Sequence, residues 1–215
     1  MTTGMERRRG HVLSTLVLML CAAASIYAQN PMAPEGVKVG DNAPDFVLKN
    51  IDGTVVGPRT YSAAKGIILV FTCNHCPFSV KYEDRIIALH REFAPKGFPV
   101  LAVNPNDSIV SPEDSYSKMQ KRAADKAFPF AYVYDETQVV AQRYGARRTP
   151  QVFVLLRTRI GWTVEYIGAI DDNADTPASA TQFFVAEAVN ALLKGTKPAQ
   201  ATTKAIGCTI KWKKG

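Results

Sequence analysis

Closely spaced cysteines occur only once in this chain. Of the four cysteines, at positions 21, 73, 76 and 208, only Cys73 and Cys76 lie within a few residues of each other, and no second C-x-x-C follows. A zinc site built from two such pairs is therefore excluded. No apolar run reaches the roughly 20 residues that a comfortable membrane helix needs; residues 12–24 come nearest and fall short. Basic residues are not interleaved with aromatics, so the formal net charge of +7 is not a nucleic-acid footprint. Arg7, Arg8, Arg9 and Glu6 sit in the first nine residues; without them Lys+Arg is 23 and Asp+Glu 18, a mild surface excess. Internal repeats and low-complexity segments are absent, and 215 residues suit one domain plus a leader.

The N-terminus has the pattern of a secretory signal. Arg7 to Arg9 form the positive region, residues 12–24 the short apolar core, and Ala28 the last residue before cleavage, with Ile26 at the third position back. Leu20 before Cys21 is too large for a lipoprotein signal. The expected organisation is a signal peptide over 1–28, a flexible lead-in over 29–36, a domain over 37–196 and a tail over 197–215. The expected location is periplasmic or secreted, with no stable membrane insertion after cleavage; an uncleaved signal anchor is the alternative. The mature chain keeps Cys73, Cys76 and Cys208, an odd number that leaves one thiol to explain.

Patterning predicts alternating strands and helices. Residues 46–49 and 54–56 flank the turn pair Asp52-Gly53 and read as a hairpin. Residues 67–71, Ile-Ile-Leu-Val-Phe, read as a strand covered on both faces. A helix is expected over 77–93, with Ile86, Leu89, His90 and Phe93 on one stripe and Pro77 tolerated in its first turn. Further strands are expected over 100–103, 130–134, 151–156 and 162–167. Helices are expected over 111–127, with Ser111 as N-cap and Pro112 first, over 137–144, and over 180–193.

The chemistry centres on Cys73-Asn74-His75-Cys76-Pro77, where the buried strand runs into a helix start. Two intervening residues let both sulfurs meet across the first helical turn, and the helix N-terminus favours thiolate over thiol. Sites of this kind have thiol pKa values of about 3.5 to 7. Cys73 is expected to be the exposed nucleophile and Cys76 the resolver of the mixed disulfide. His75 between them adds partial positive charge.

The chain resembles the thioredoxin-like redoxin family, in the peroxiredoxin-like branch that carries a C-x-x-C. The likeness covers residues 37–212. It rests on Phe71-Thr72-Cys73-Asn74-His75-Cys76-Pro77, Tyr82-Glu83-Asp84-Arg85, Asp135-Glu136-Thr137, Gly207-Cys208-Thr209-Ile210-Lys211-Trp212 and the entry Gly40-Asp41-Asn42-Ala43-Pro44-Asp45-Phe46. The resemblance implies an α/β thioredoxin fold, a central mixed sheet flanked by helices, with an added N-terminal β-hairpin. It also implies thiol-disulfide or peroxide-linked chemistry without a cofactor, on a redox partner protein or a small thiol or disulfide. Thr149-Pro150, just before a strand, matches the position where thioredoxin folds hold a cis proline that opens the preceding backbone to an extended substrate. Arg148 would border the disulfide and stabilise a thiolate. Relatives often carry a cysteine where this chain has Arg148 and an acid where it has Gln151, so a relay through that position is unavailable.

Thiol-disulfide exchange is the leading reading. A peroxidase needs Pro-x-x-x-Thr/Ser-x-x-Cys, and neither register fits: Leu69 and Cys73 precede Cys76, Gly66 and Val70 precede Cys73. Arg148 alone keeps that idea in play. A non-enzymatic metal binder would use Cys73, His75, Cys76 and Cys208. Cys208 is read first as a buried free thiol, second as a third redox cysteine on a tail folded across the site, third as an intermolecular bridge. His90, Tyr132, Tyr134, Phe128 and Phe130 read as structural, Asp171-Asp172-Asn173 as a turn, and Glu83 and Asp84 as solvated. No acid within 67–71 offers a buried proton acceptor.

Overall fold

The computed structural model describes residues 1–2 and 36–214. The expected signal peptide and lead-in lie outside the described residues but for their ends. In chain order the elements are β1 (Leu48–Asn50), β2 (Val55–Val56), β3 (Gly66–Phe71), α1 (Pro77–Phe93), β4 (Val100–Asn104), α2 (Tyr116–Lys126), β5 (Ala131–Tyr134), α3 (Val139–Tyr144), β6 (Arg148–Thr149), β7 (Gln151–Thr158), β8 (Gly161–Gly168), α4 (Phe184–Leu193) and β9 (Cys208–Thr209).

The sheet forms around β3. On one side β3 pairs with β4 in parallel, on the other with β7 antiparallel. The full order is β2-β1-β5-β4-β3-β7-β8, a mixed seven-stranded sheet, while β6 and β9 pair separately. Side chains alternate across a strand, and β3 shows what its continuous apolar run is for. Ile68 and Val70 pack with Tyr82, Ile86 and Phe93 of α1, Met119 of α2 and Val185 and Val189 of α4. Ile67, Leu69 and Phe71 pack on the opposite face with Val140 and Tyr144 of α3 and with Ile210 of the tail. A strand with one solvated face would have to alternate polar and apolar residues; this one is fully buried at every position.

The expected hairpin is present as β1 and β2, with Lys49 opposite Val55 and Asp52 accepting from the Thr54 N–H at 2.9 Å. Helix α1 matches the expected bounds. The helix expected over 111–127 does not start at Ser111. Pro112–Asp114 is a 3-10 turn and α2 begins after Ser115, whose ψ of 157° is extended. Ser111 spends its hydroxyl on the Asp114 carboxylate at 2.8 Å rather than on a helix N–H. Helix α4 likewise starts late, at Phe184, because Thr181 is tied to Asp172. No helix among the described residues is long and apolar enough to cross a membrane.

Asp171 is a turn residue that grips Arg85 at 2.6 Å, and His90 accepts from the Val100 N–H at 3.2 Å, both structural roles. Glu83 corrects its expectation. It is buried, and its carboxylate takes both Arg122 Nε at 2.7 Å and Nη2 at 2.6 Å, which ties α1 to α2. Helical spacing explains this: Tyr82 and Ile86 face the sheet, and Glu83 shares their inner face while Asp84 points outward. Removing one partner of a buried pair leaves the other charge uncompensated, but Arg122 is 28% exposed and keeps water. Glu83→Ala should therefore lower the unfolding free energy by about 2 kcal/mol, read as a fall in the urea midpoint at unchanged slope.

Candidate functional site

Three segments converge at the C-terminal end of β3. The loop 72–75 leaves the strand, α1 begins at Pro77 with Cys76 as its N-cap, and β6 brings Thr149 and Pro150 alongside. The Thr149-Pro150 bond is cis, as expected. Thr149 touches both sulfurs of the C-x-x-C: its Oγ1 lies 3.3 Å from Cys73 Sγ and its carbonyl oxygen 3.3 Å from Cys76 Sγ.

The cysteines are not arranged as expected. Cys76 is bonded to Cys208, with their Cα atoms 6.2 Å apart, and Cys73 is the free thiol. The first reading of Cys208 as a free buried thiol is thus overturned. The tail folds back and β9 pairs antiparallel with β6, placing Cys208 opposite Thr149, within bridging reach of Cys76. Cys73 is not exposed either; it is 2% accessible. Burial pushes its thiol up, and the neighbouring Asp114 carboxylate pushes the same way. Hydrogen bonds from the Thr149 hydroxyl, the Cys76 N–H and Ser79 pull against these but do not reverse them. The low thiol value expected for an exposed nucleophile at position 73 is absent for that reason.

Asp114 organises the loop. Fully buried, it accepts from the Asn74 N–H at 2.8 Å, the Asn106 amide at 2.7 Å and the Ser111 hydroxyl at 2.8 Å, and its Oδ2 pairs with His75 Nδ1 at 2.8 Å. His75 therefore faces Asp114, with its side chain 43% exposed. Asn74 donates to the Glu113 carbonyl at 2.9 Å and accepts from the Tyr132 hydroxyl at 2.9 Å. The two residues inside the C-x-x-C thus lock the loop onto the 111–114 turn and β5. Beneath Cys73 a cavity of about 10 Å³, bordered by Glu83 and Tyr132, is about the size of one water.

Arg148 reaches the tail: its Nη1 donates to the Gly207 carbonyl at 2.8 Å. The four-ligand metal set is not assembled, because the Cys76 and Cys208 sulfurs are joined to each other. The donor atoms of Cys73, His75 and Asp114 do lie within 4.8 Å of one another. Sequence reasoning gave no role to Asp114 within the expected helix start, or to Ser79, 3.7 Å from Cys73. The one available signal for Asp114 was that Ser111 and Pro112 already supplied a helix start without it.

A mixed sheet with this helix order, a cysteine at a helix N-cap and a facing cis proline define a thioredoxin-like redox protein. The AhpC/TSA family model matches residues 39–164, more than half of the chain, and the protein belongs to that family. It is 28% identical over 157 residues to the thiol-disulfide oxidoreductase ResA of Geobacillus thermodenitrificans, covering 70% of this chain and 84% of that protein. An uncharacterized conserved protein from Geobacillus kaustophilus superposes with a TM-score of 0.77 at 36% identity, over 83% of this chain and 94% of the other. A hypothetical protein from Sinorhizobium meliloti gives 0.76 at 30%, over 84% and 97%.

With Cys76 and Cys208 joined, Cys73 titrates without them, and the ultraviolet absorbance of its thiolate, taken against Cys73→Ser, reports its midpoint. That midpoint should lie above an ordinary thiol's, and Asp114→Asn, which removes a charge that opposes the thiolate, should move it down. An upward shift, or none, would remove Asp114 as a cause.

Proposed function

We infer that the protein is a thiol-disulfide oxidoreductase that exchanges disulfides with polypeptide or small-thiol partners through Cys76, with Cys73 as the second C-x-x-C thiol. The observation that carries this reading is the state of Cys76. Its sulfur sits at the N-cap of a 17-residue helix, against the Thr149 carbonyl, already bonded to another cysteine. A helix N-terminus stabilises the thiolate, so Cys76 serves both as attacking group and as leaving group. In the reductive direction the Cys76 thiolate attacks one sulfur of a partner disulfide and the other partner sulfur leaves as thiolate. A second thiol of this chain then attacks Cys76 Sγ of the mixed disulfide, a new disulfide forms within the chain, and the partner's remaining sulfur leaves with the electron pair as a reduced thiolate.

This assignment exchanges the roles expected for the two cysteines. Cys73, buried and held protonated beside Asp114, suits the thiol that acts second. His75 and Asp114 act by positioning the loop. The ResA name of the relatives supports the same class of reaction. Export remains part of the proposal: the leader pattern over 1–28 fits it, and a Cys76–Cys208 disulfide suits an oxidising compartment. A peroxidase reading is weaker, because the Arg148 guanidinium is engaged by the tail and the residue three before Cys76 is a thiol, not a hydroxyl.

With a small dithiol as electron donor, the full chain should reduce a model protein disulfide catalytically. Cys76→Ser should lose at least a hundredfold of that rate, whereas Cys73→Ser should keep the first attack on the model disulfide. Full turnover by Cys76→Ser would refute the assignment.

A further inference from the structure

The hydrogen bonds that hold residues 207–211 of the tail at the site all use its main chain. Arg148 donates to the Gly207 carbonyl at 2.8 Å, and Cys208 pairs with Thr149 as strand neighbours. The Ile210 N–H donates to the Arg147 carbonyl at 3.2 Å. The Lys211 N–H donates to Asn106 Oδ1 at 2.9 Å, and the Lys211 carbonyl accepts from the Asp107 N–H at 2.9 Å. Main-chain contacts of this kind are available to any extended polypeptide.

Along 207–211, three positions are read by side chain. At 207 there is no room for one: a Cβ would stand 2.3 Å from the Thr149 carbonyl oxygen and 3.0 Å from the Pro150 nitrogen, both immovable backbone. At 208 a sulfur meets Cys76. At 210 an apolar side chain is buried, 3% exposed, in the cluster formed by Phe71 of β3 and Tyr144 of α3.

We propose that the β9 tail is a tethered copy of the polypeptide this site exchanges with, so that the site takes extended segments of the form Gly-Cys-x-apolar, and the tail must leave β6 before such a segment docks. This rests on the oxidoreductase reading above and adds its substrate class. The step balances: a partner thiolate attacks Cys76 Sγ, the Cys76–Cys208 bond breaks, and Cys208 leaves with the electron pair as a thiolate that takes a proton from water. The new bond joins Cys76 to the partner, which now lies where β9 lay.

The test uses the full chain as reduced Cys208→Ser and as Gly207→Ala/Cys208→Ser, with Cys76→Ser as blank. Each is mixed with a peptide copying residues 205–213 whose cysteine carries a thionitrobenzoate leaving group, with the same peptide bearing alanine at the position of Gly207, and with cysteine thionitrobenzoate as a small probe. Rates are taken relative to the small probe, and circular dichroism shows that each variant is folded. The glycine peptide should discharge at least tenfold faster than the alanine peptide. It should also gain at least threefold in the Gly207→Ala/Cys208→Ser protein, where the tail no longer fits. Equal rates for the two peptides, or no gain on displacing the tail, overturn the proposal with Cys76 chemistry left standing. A Cys76 that fails to discharge even the small probe overturns the oxidoreductase reading and this proposal together.

Discussion

Everything at the site is arranged about one peptide unit, Thr149-Pro150. Its hydroxyl side faces Cys73, its carbonyl faces Cys76, and its other edge carries Cys208 and Gly207. The two sulfurs of the C-x-x-C and the distant Cys208 are thereby brought against one short strand. Strand β7, which starts at the next residue, is antiparallel to β3 through six consecutive pairs, so the position of Thr149 is inherited from the centre of the sheet. The constraint therefore runs from core to chemistry: the buried β3–β7 pairing sets where the three thiols meet.

A second constraint is electrostatic. Asp114 is a buried carboxylate that gathers donors from Asn74, Asn106, Ser111 and His75. Buried charge is tolerated when it is fully hydrogen-bonded, and here the same bonds hold the loop between the cysteines. The charge also lies close to Cys73 and disfavours ionisation there. The loop thus separates two cysteines three residues apart into different electrostatic settings, one at a helix terminus and one beside a carboxylate.

Local patterns made much of this legible in the sequence. The run 67–71, the helix start at Pro77, the Asp52-Gly53 turn and the cis Thr149-Pro150 bond each depend on a few neighbouring residues, and each is found where expected. What escaped depends on residues far apart. Glu83 looks like one acid of a solvated Glu-Asp pair until Arg122, 39 residues on, is placed beside it. Asp114 looks like a helix-start acid until Asn74 and His75 arrive. Cys208 carried three open readings because spacing alone does not determine disulfide connectivity, and the reading placed first proved wrong. The order of nucleophile and resolver was read from Cys73 standing just before the helix start; the N-cap falls at Cys76 instead, and Cys73 is buried.

The bond between Cys76 and Cys208 joins residues 132 positions apart and closes a ring that takes in most of the sheet and all four helices. In the chain-entropy account, closing a loop of that size removes about 5 kcal/mol of unfolded-state freedom. What the bond contributes to folding, folding returns to the bond, since the two are linked in one thermodynamic cycle. Breaking and remaking the Cys76–Cys208 bond thus opens and closes the covalent belt of the domain. The resistance of the whole molecule to heat and denaturant becomes a gauge of its own oxidation state.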